Sequence, residues 1–203
     1  MMDNIGISVS RETIERLEAF AELTRKWTIK INLISKSTIP DVWNRHIVDS
    51  AQVFQYANQP KNWIDIGSGG GFPGIVLAIM AKELSPETKF TLIESDARKC
   101  TFLRTAIREQ ELNAYVITQR IENTEPQGAD VVSARALGSI PDLLPHLERH
   151  LIPTGTALLM KGRTYAAELD AVGDDWDFDL TEYPSITDPD SRILSLKRIT
   201  RAA

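Results

Sequence analysis

The stretch Trp63-Ile64-Asp65-Ile66-Gly67-Ser68-Gly69-Gly70-Gly71-Phe72-Pro73-Gly74 constrains the fold more than any other part of the chain. A short apolar run that enters a glycine-dense turn and then opens a helical pattern reads as a buried strand, a tight loop and a helix start, the first half of a βαβ unit. Gly67, Gly69 and Gly71 permit positive φ and let a ligand approach the backbone without Cβ obstruction. Pro73 suits the first turn of the helix that follows. Glu94 closes the next apolar run, where a carboxylate can accept hydrogen bonds from two ribose hydroxyls. These features imply a site for an adenosine-containing cofactor. A bare tight turn would not justify so many glycines, each of which costs chain entropy.

Spacing alone leaves the cofactor open, because Gly67, Gly69, Gly71 and Gly74 are also compatible with a dinucleotide fingerprint. Asp65 tips the balance. It would face a bound pyrophosphate unfavourably, yet it suits the ammonium of a methionine moiety. The pattern D-x-G-x-G-x-G is similar to the first motif of class I S-adenosyl-L-methionine (AdoMet) methyltransferases.

The rest of the chain reads as strands alternating with helices. Strands are expected at Asn62 to Ile66, Lys89 to Glu94, Ala114 to Thr118, Ala129 to Ser133 and Gly155 to Lys161. Helices are expected at Phe72 to Glu83, Ala97 to Gln110, Ile140 to His150 and Thr164 to Val172. Two further runs, Trp176 to Tyr183 and Arg192 to Thr200, flank the turn residues Thr187-Asp188-Pro189-Asp190 and predict an antiparallel hairpin closing one edge of a parallel sheet. Before residue 61 lie an amphipathic helix from Ser10 to about Thr28, with Ser8 or Ser10 as N-cap and Glu12 or Thr13 near the reciprocal position, and a second from Ile39 to Tyr56. The chain is read as a single methyltransferase domain over 1–203, with an N-terminal helical extension over 1–60 and a Rossmann-like core over 61–203.

Arg135 follows the fourth strand, and in parallel sheets ligands sit outside the carboxyl ends of strands, so it points at the site. No Asn/Asp-Pro-Pro-aromatic stretch, as methylation of an exocyclic amine would need, is present, and no cysteine lies in this loop for attack on a pyrimidine. Cys100 sits in a helical run and reads as a buried small hydrophobe. An arginine without an evident base suits an acceptor that is already nucleophilic. Guanine N7 qualifies, since its in-plane lone pair attacks without loss of a proton and the enzyme has mainly to align it. Arg135 could then grip the O6 edge or a phosphate, or serve only as a salt bridge at a strand end.

Nearly the whole chain resembles the glucose-inhibited division protein B family, the bacterial 16S ribosomal RNA (guanine-N7) methyltransferases. Beyond the glycine loop the matching residues are Trp27, Asn32-Leu33, Arg45-His46-Ile47-Val48-Asp49-Ser50, Leu92-Ile93-Glu94-Ser95, Lys99 and Phe102-Leu103-Arg104. They continue through Arg120-Ile121-Glu122, Ser133-Ala134-Arg135-Ala136, Met160-Lys161-Gly162 and Arg192. The resemblance implies an α/β class I AdoMet-dependent methyltransferase fold, a seven-stranded mostly parallel sheet with an antiparallel last strand. It implies transfer from AdoMet to 16S rRNA in the small (30S) ribosomal subunit or an assembly intermediate, leaving S-adenosylhomocysteine. Asp65, Gly67, Gly69, Gly71, Phe72, Glu94, Ile121, Glu122 and Arg135 are the expected cofactor residues. Arg120, Lys161, Arg192 and His46 are expected at the substrate, with Arg135, Lys161 and Arg192 catalytic and Lys161 a phosphate contact.

His46 also reads as a packing residue beside Trp43 and Ile47. His146 and His150, four apart, lack a carboxylate or thiolate partner at metal-binding spacing, so no metal is expected. An RNA surface could form from Arg25, Lys26, Lys30, Arg98, Lys99, Arg104 and Arg108, although the net charge of -5 supplies no overall basic field. With 203 residues, 42% hydrophobic, and one cysteine, the chain fits a monomer in the reducing cytoplasm. The stretch Met1 to Val9 carries an acid where a leader has a basic region, and no run is apolar enough for a membrane span. Three competing functions stay open: a small-molecule methyltransferase, an RNA- or ribosome-binding assembly factor with a vestigial pocket, and a nicotinamide oxidoreductase.

Overall fold

The structure, a computed structural model, describes residues 6–202. The first five residues of the Met1 to Val9 stretch, on which the expectation of no leader rests, lie outside the described residues.

Helix α1 (Arg11–Thr28) starts where Ser10 Oγ accepts the Thr13 amide at 3.2 Å, so Ser10 and not Ser8 is the N-cap. The reciprocal bond comes from far away. The Ser10 amide donates to the Glu83 carboxylate at 2.9 and 3.0 Å, and Thr13 Oγ1 donates to it at 2.6 Å, tying the start of α1 to the end of α3 (Gly74–Leu84). α1 buries Leu17, Phe20 and Ala21.

The expected helix over Ile39 to Tyr56 is helical but not a continuous α-helix. It runs as a 3₁₀ segment (Lys36–Asp41), a π turn (Trp43–Val48), the short α2 (Asp49–Ala51) and a second 3₁₀ segment (Gln52–Tyr56). The Asp49 amide bonds the carbonyls of Asn44 and His46 and passes over that of Arg45. The Arg45 carbonyl instead accepts from the Arg135 guanidinium at 3.3 Å, so a tertiary donor takes the acceptor an α-helix would have used.

One seven-stranded sheet has the order β3-β2-β1-β4-β5-β7-β6. Its strands are β1 (Asn62–Ile66), β2 (Lys89–Glu94), β3 (Ala114–Thr118), β4 (Ala129–Arg135), β5 (Leu151–Lys161), β6 (Trp176–Pro184) and β7 (Arg192–Arg201). Strands β1 to β5 are parallel and β7 is antiparallel to both β5 and β6, as the hairpin pattern predicts. β5 starts earlier than Gly155, pairing Leu151 with Ala129 before an irregularity around Pro153, where the backbone lacks a donor.

Helix α4 (Ala97–Gln110) follows β2, with Asp96 accepting the Arg98 and Lys99 amides. α5 (Ile140–His150) opens with a Ser139/Asp142 capping box, and α6 (Tyr165–Asp170) is shorter than the pattern suggests. Strand alternation splits the core in two. Trp63, Phe90, Leu92, Val131 and Leu158 pack with α1, α3 and α4, whereas Ile64, Ile66, Val132 and Leu159 pack with α5. Asp65, Ser133 and Arg135 share the parity of Trp63 and Val131 through the register Trp63↔Val131 and Asp65↔Ser133, so they fall on the α1/α3 side. Among the described residues no helix is long and apolar enough to cross a membrane.

Candidate functional site

Two cavities lie beyond the carboxyl ends of the parallel strands, and Ala136, just past β4, belongs to the walls of both. Ala136 has φ +52°, the left-handed region, so the chain turns sharply at the partition.

The first cavity, of about 280 Å³, is bounded by Gly67 and Gly69, by Ile93 and Glu94, by Arg120, Ile121 and Glu122, and by Leu137. Gly67 adopts φ +65°, and a Cβ there would come within 2.7 Å of the Leu137 side chain. Glu94 is 8% exposed. Its Oε2 accepts the Gly69 amide at 2.9 Å and its Oε1 the Asp96 amide at 2.8 Å, so the residue that faces the cavity also pins the glycine loop. A carboxylate has about four acceptor positions, which leaves lone pairs for ribose hydroxyls. Ile93 and Ile121 offer apolar surface to a purine ring.

Asp65, expected at the cofactor, lies on neither wall. It is 1% exposed beneath the loop, with Oδ1 accepting from Ser133 Oγ at 2.7 Å, and Ser133 Oγ in turn accepts the Trp63 indole N–H at 3.0 Å. Its Oδ2 has no hydrogen-bond partner. Burial raises its pKa to about 6, against which the Ser133 hydroxyl works only in part. The Oδ2 oxygen faces Gly74 at the start of α3, where an added Cβ would lie 2.7 Å from it, so it is turned toward the helix N-terminus and into neither cavity. Gly71 and Phe72 are also off the cavity wall. A Cβ on Gly71 would come within 2.7 Å of Ile75 and 3.1 Å of Phe20, so this glycine serves close packing. Phe72 is 4% exposed and lies under the Arg135 guanidinium, 5.0 Å from ring centroid to Cζ.

The second cavity, of about 240 Å³, brings together Arg135, Lys161 and Arg192 with the carboxylates of Asp49 and Glu168. Arg135 Nη2 bonds His46 Nδ1 at 2.8 Å, while Nη1 reaches Asp49 Oδ2 and the Arg45 carbonyl, each at 3.3 Å. A guanidinium can only donate, so His46 Nδ1 accepts and Nε2 carries the proton, donating to Thr38 Oγ1 at 2.8 Å. Burial, with the charges of Arg135 and Arg45, lowers the His46 pKa to about 3. His46 therefore holds Arg135 as a neutral base, its ring tilted against Phe72 at 4.9 Å, and lies behind Arg135 on the wall of neither cavity, although it was expected at the substrate.

Lys161 does not present a free charge to a phosphate. Its ammonium is 8% exposed and donates to Glu168 Oε2 and the Gly138 carbonyl, both at 2.8 Å. Arg192, paired in register with Lys161, donates to the Pro189 and Ser191 carbonyls and covers the Tyr165 ring. Arg120 lies on the first cavity and not beside Lys161 and Arg192, because it precedes the short 3₁₀ turn Ile121–Asn123 that follows β3.

Cys100 is fully buried and donates to the Glu94 carbonyl at 3.2 Å, a packing role. Among the described residues no three His, Cys, Asp or Glu side chains gather as a metal site. Within the basic set, Arg98 pairs with Asp96, Arg25 with Glu22, and Arg104 bonds Thr118 at 2.7 Å. Sequence reasoning assigned no role to Asp49, Gln52 or Glu168. For the first two the signal was present, since His46, Asp49 and Gln52 recur at one-turn spacing. Nothing local marks Glu168.

The model of the family described as rRNA small subunit methyltransferase G (GidB) matches residues 13–193. A ribosomal RNA small subunit methyltransferase G from Cereibacter sphaeroides is 50% identical over 194 residues, 95% of this chain and 94% of that protein. One from Paracoccus denitrificans is 49% identical over 198 residues, 97% of this chain and all (100%) of that protein. Among solved structures, a SAM-dependent methyltransferase from Aquifex aeolicus aligns with TM-score 0.59 at 13% identity, covering 77% of this chain and 93% of its own. M. jannaschii TYW2 in complex with AdoMet aligns with TM-score 0.58 at 16% identity, covering 86% and 80%. At such identities these two show a shared Rossmann-like methyltransferase fold.

Proposed function

The chain belongs to the rRNA small subunit methyltransferase G family, and from that premise we propose that it transfers the methyl group of AdoMet to N7 of a guanine in 16S rRNA of the small ribosomal subunit. The observation that carries the reading is the pair of cavities meeting at Ala136, one walled by the glycine loop and Glu94, the other by Arg135 and its partners. Gly67, Gly69, Glu94, Ile121 and Glu122 would hold the cofactor. When bound, AdoMet supplies an electrophilic sulfonium methyl.

What the chain's own residues do is mainly positional. Guanine N7 loses no proton on attack, so no base is required, and the nitrogen bases nearby are engaged: Lys161 is ion-paired, and His46 accepts from Arg135. Arg135, fixed by His46, Asp49, Arg45 and Phe72, is aimed at the O6 edge or a phosphate. Methylation leaves a cationic purine. Asp49 beside Arg135 and Glu168 beside Lys161 offset the resident cations, so a new positive charge is tolerated there. Arg192 keeps donor capacity for the rRNA. The whole chain, extension and core, acts as one cytoplasmic unit on the 30S subunit or its assembly intermediate.

Labelled AdoMet offered with small subunits lacking base methylation, with protein-free rRNA and with a small-molecule extract tests this. Label in the subunit, mapped to one guanine by cleavage at N7-methylguanine, is the expected result. Label only in the small-molecule fraction, or none despite cofactor binding, would overturn it.

A further inference from the structure

We propose that Asp49 is a specificity-determining residue of the second cavity, accepting hydrogen bonds from the N1–H and exocyclic amine of the target guanine while Arg135 donates to its O6. The inference rests on the reading above that this cavity takes the acceptor base.

Around a guanine the groups follow in the order N7, O6, N1–H and exocyclic amine. The cavity lining is connected in the same sense: Ala136, which also belongs to the other cavity, is the chain neighbour of Arg135, and Arg135 Nη1 lies 3.3 Å from Asp49 Oδ2. With N7 turned to the partition, a donor meets O6 and an acceptor meets the two N–H groups. Adenine reverses both positions, placing an amine before Arg135 and a lone pair before Asp49. A buried site that leaves such groups unpaired discriminates strongly.

Asp49 is held for the task. Oδ1 accepts from Thr187 Oγ1 at 2.5 Å and Gln52 Nε2 at 3.0 Å, and Gln52 is fixed through Ser185 Oγ at 3.1 Å and the Ile186 amide at 2.9 Å. Thr187, Ser185 and Ile186 come from the β6–β7 loop, so the hairpin helps set the carboxylate's orientation. Oδ2 has only the 3.3 Å contact to Arg135, which leaves acceptor capacity facing the cavity. The other carboxylate is engaged differently. Glu168 takes Lys161 and the Ile140 amide on one oxygen and Thr164 on the other.

The test compares wild type with Asp49→Asn, and with Asp49→Ser as a second variant, on reconstituted small subunits. The 16S rRNA carries either guanine or hypoxanthine at the mapped position; hypoxanthine lacks the exocyclic amine but keeps N7, O6 and N1–H. In wild type, removing the amine should lower kcat/KM about ten- to a hundredfold, as expected for a bond to a charged acceptor. In the variants that ratio should shrink to within about threefold, as a coupled pair requires. S-adenosylhomocysteine affinity within about threefold of wild type reports an intact fold. A guanine-to-hypoxanthine ratio equal in wild type and variants, or no loss in wild type, overturns the proposal, because an Asp49 that only braced Arg135 would slow both substrates alike. Absence of N7 methylation by wild type would instead remove the functional reading itself.

Discussion

Arg135 is held from several sides by groups that differ in charge and rigidity: the neutral His46 ring, the Asp49 carboxylate, the Arg45 carbonyl and the Phe72 face. Removing its side chain should leave these groups without their shared donor and lower methyl transfer by a factor of about ten to a thousand, read in single-turnover assays. Unchanged turnover would end its role. Cys100→Ser should keep transfer within about a few fold of wild type, since its thiol only bonds a backbone carbonyl in a packed helix; loss of activity in a folded variant would reopen covalent chemistry.

Two buried groups give opposite pH signatures. The Asp65 pKa is raised to about 6, so the native state binds more protons than the unfolded chain from about pH 4 upward, and this group's contribution to stability falls as pH rises toward 6. The His46 pKa is lowered to about 3, so the unfolded chain binds more protons below pH 6.5, and stability is lost as pH falls from there. Urea midpoints followed over pH 4 to 7 should therefore rise with pH, relative to wild type, for Asp65→Asn and fall relative to wild type for His46→Gln. Parallel profiles for a variant and wild type would contradict the assignment for that residue.

At the scale of elements, the glycine loop works because its four glycines divide three tasks. Gly67 and Gly69 open the cavity wall, Gly71 lets Phe20 and Ile75 close behind it, and Gly70 lies under Leu33, whose carbonyl would be 2.9 Å from an added Cβ. Gly67→Ala forces a side chain into φ +65° and displaces Leu137 toward the cavity. It should cost about 1 to 2 kcal/mol of stability and weaken S-adenosylhomocysteine at least about tenfold, a loss of about 1.4 kcal/mol in binding that calorimetry can measure. Affinity equal to wild type would contradict the placement of the loop at the cofactor. Sequence served well for α4, whose bounds Ala97 to Gln110 came out as read, because periodicity acts within a turn or two. It served less well for 36–56. There the periodicity was helical, but the Arg45 carbonyl went to an arginine from another strand, and no local pattern records that choice.

For the whole molecule, a net charge of -5 supplies no overall basic field, so any attraction to RNA has to be local. The N-terminal helices are bound into the core through Glu83 and through the Phe20 and Phe72 rings, 5.3 Å apart. A cofactor that binds only the native state should therefore stabilise the chain as a unit. S-adenosylhomocysteine at a hundred times its dissociation constant should raise Tm by roughly 5 to 11 °C in one transition. A shift with NAD and none with S-adenosylhomocysteine would favour the oxidoreductase.

The sequence by itself determined the alternation of strands and helices, the edge hairpin, the glycine loop and the candidacy of Arg135, because capping, turn chemistry and hydrophobic period are settled among near neighbours. Only the tertiary structure decided that Lys161 is neutralised by Glu168, that Phe72 supports Arg135, that Arg120 belongs to the other cavity, and that Asp65 lies beneath the glycine loop. It also decided the partnership of Asp49 with Arg135, 86 residues apart. The physical reason is that a charge finds its partner through strand order and side-chain packing, which bring together groups that the chain itself keeps far apart.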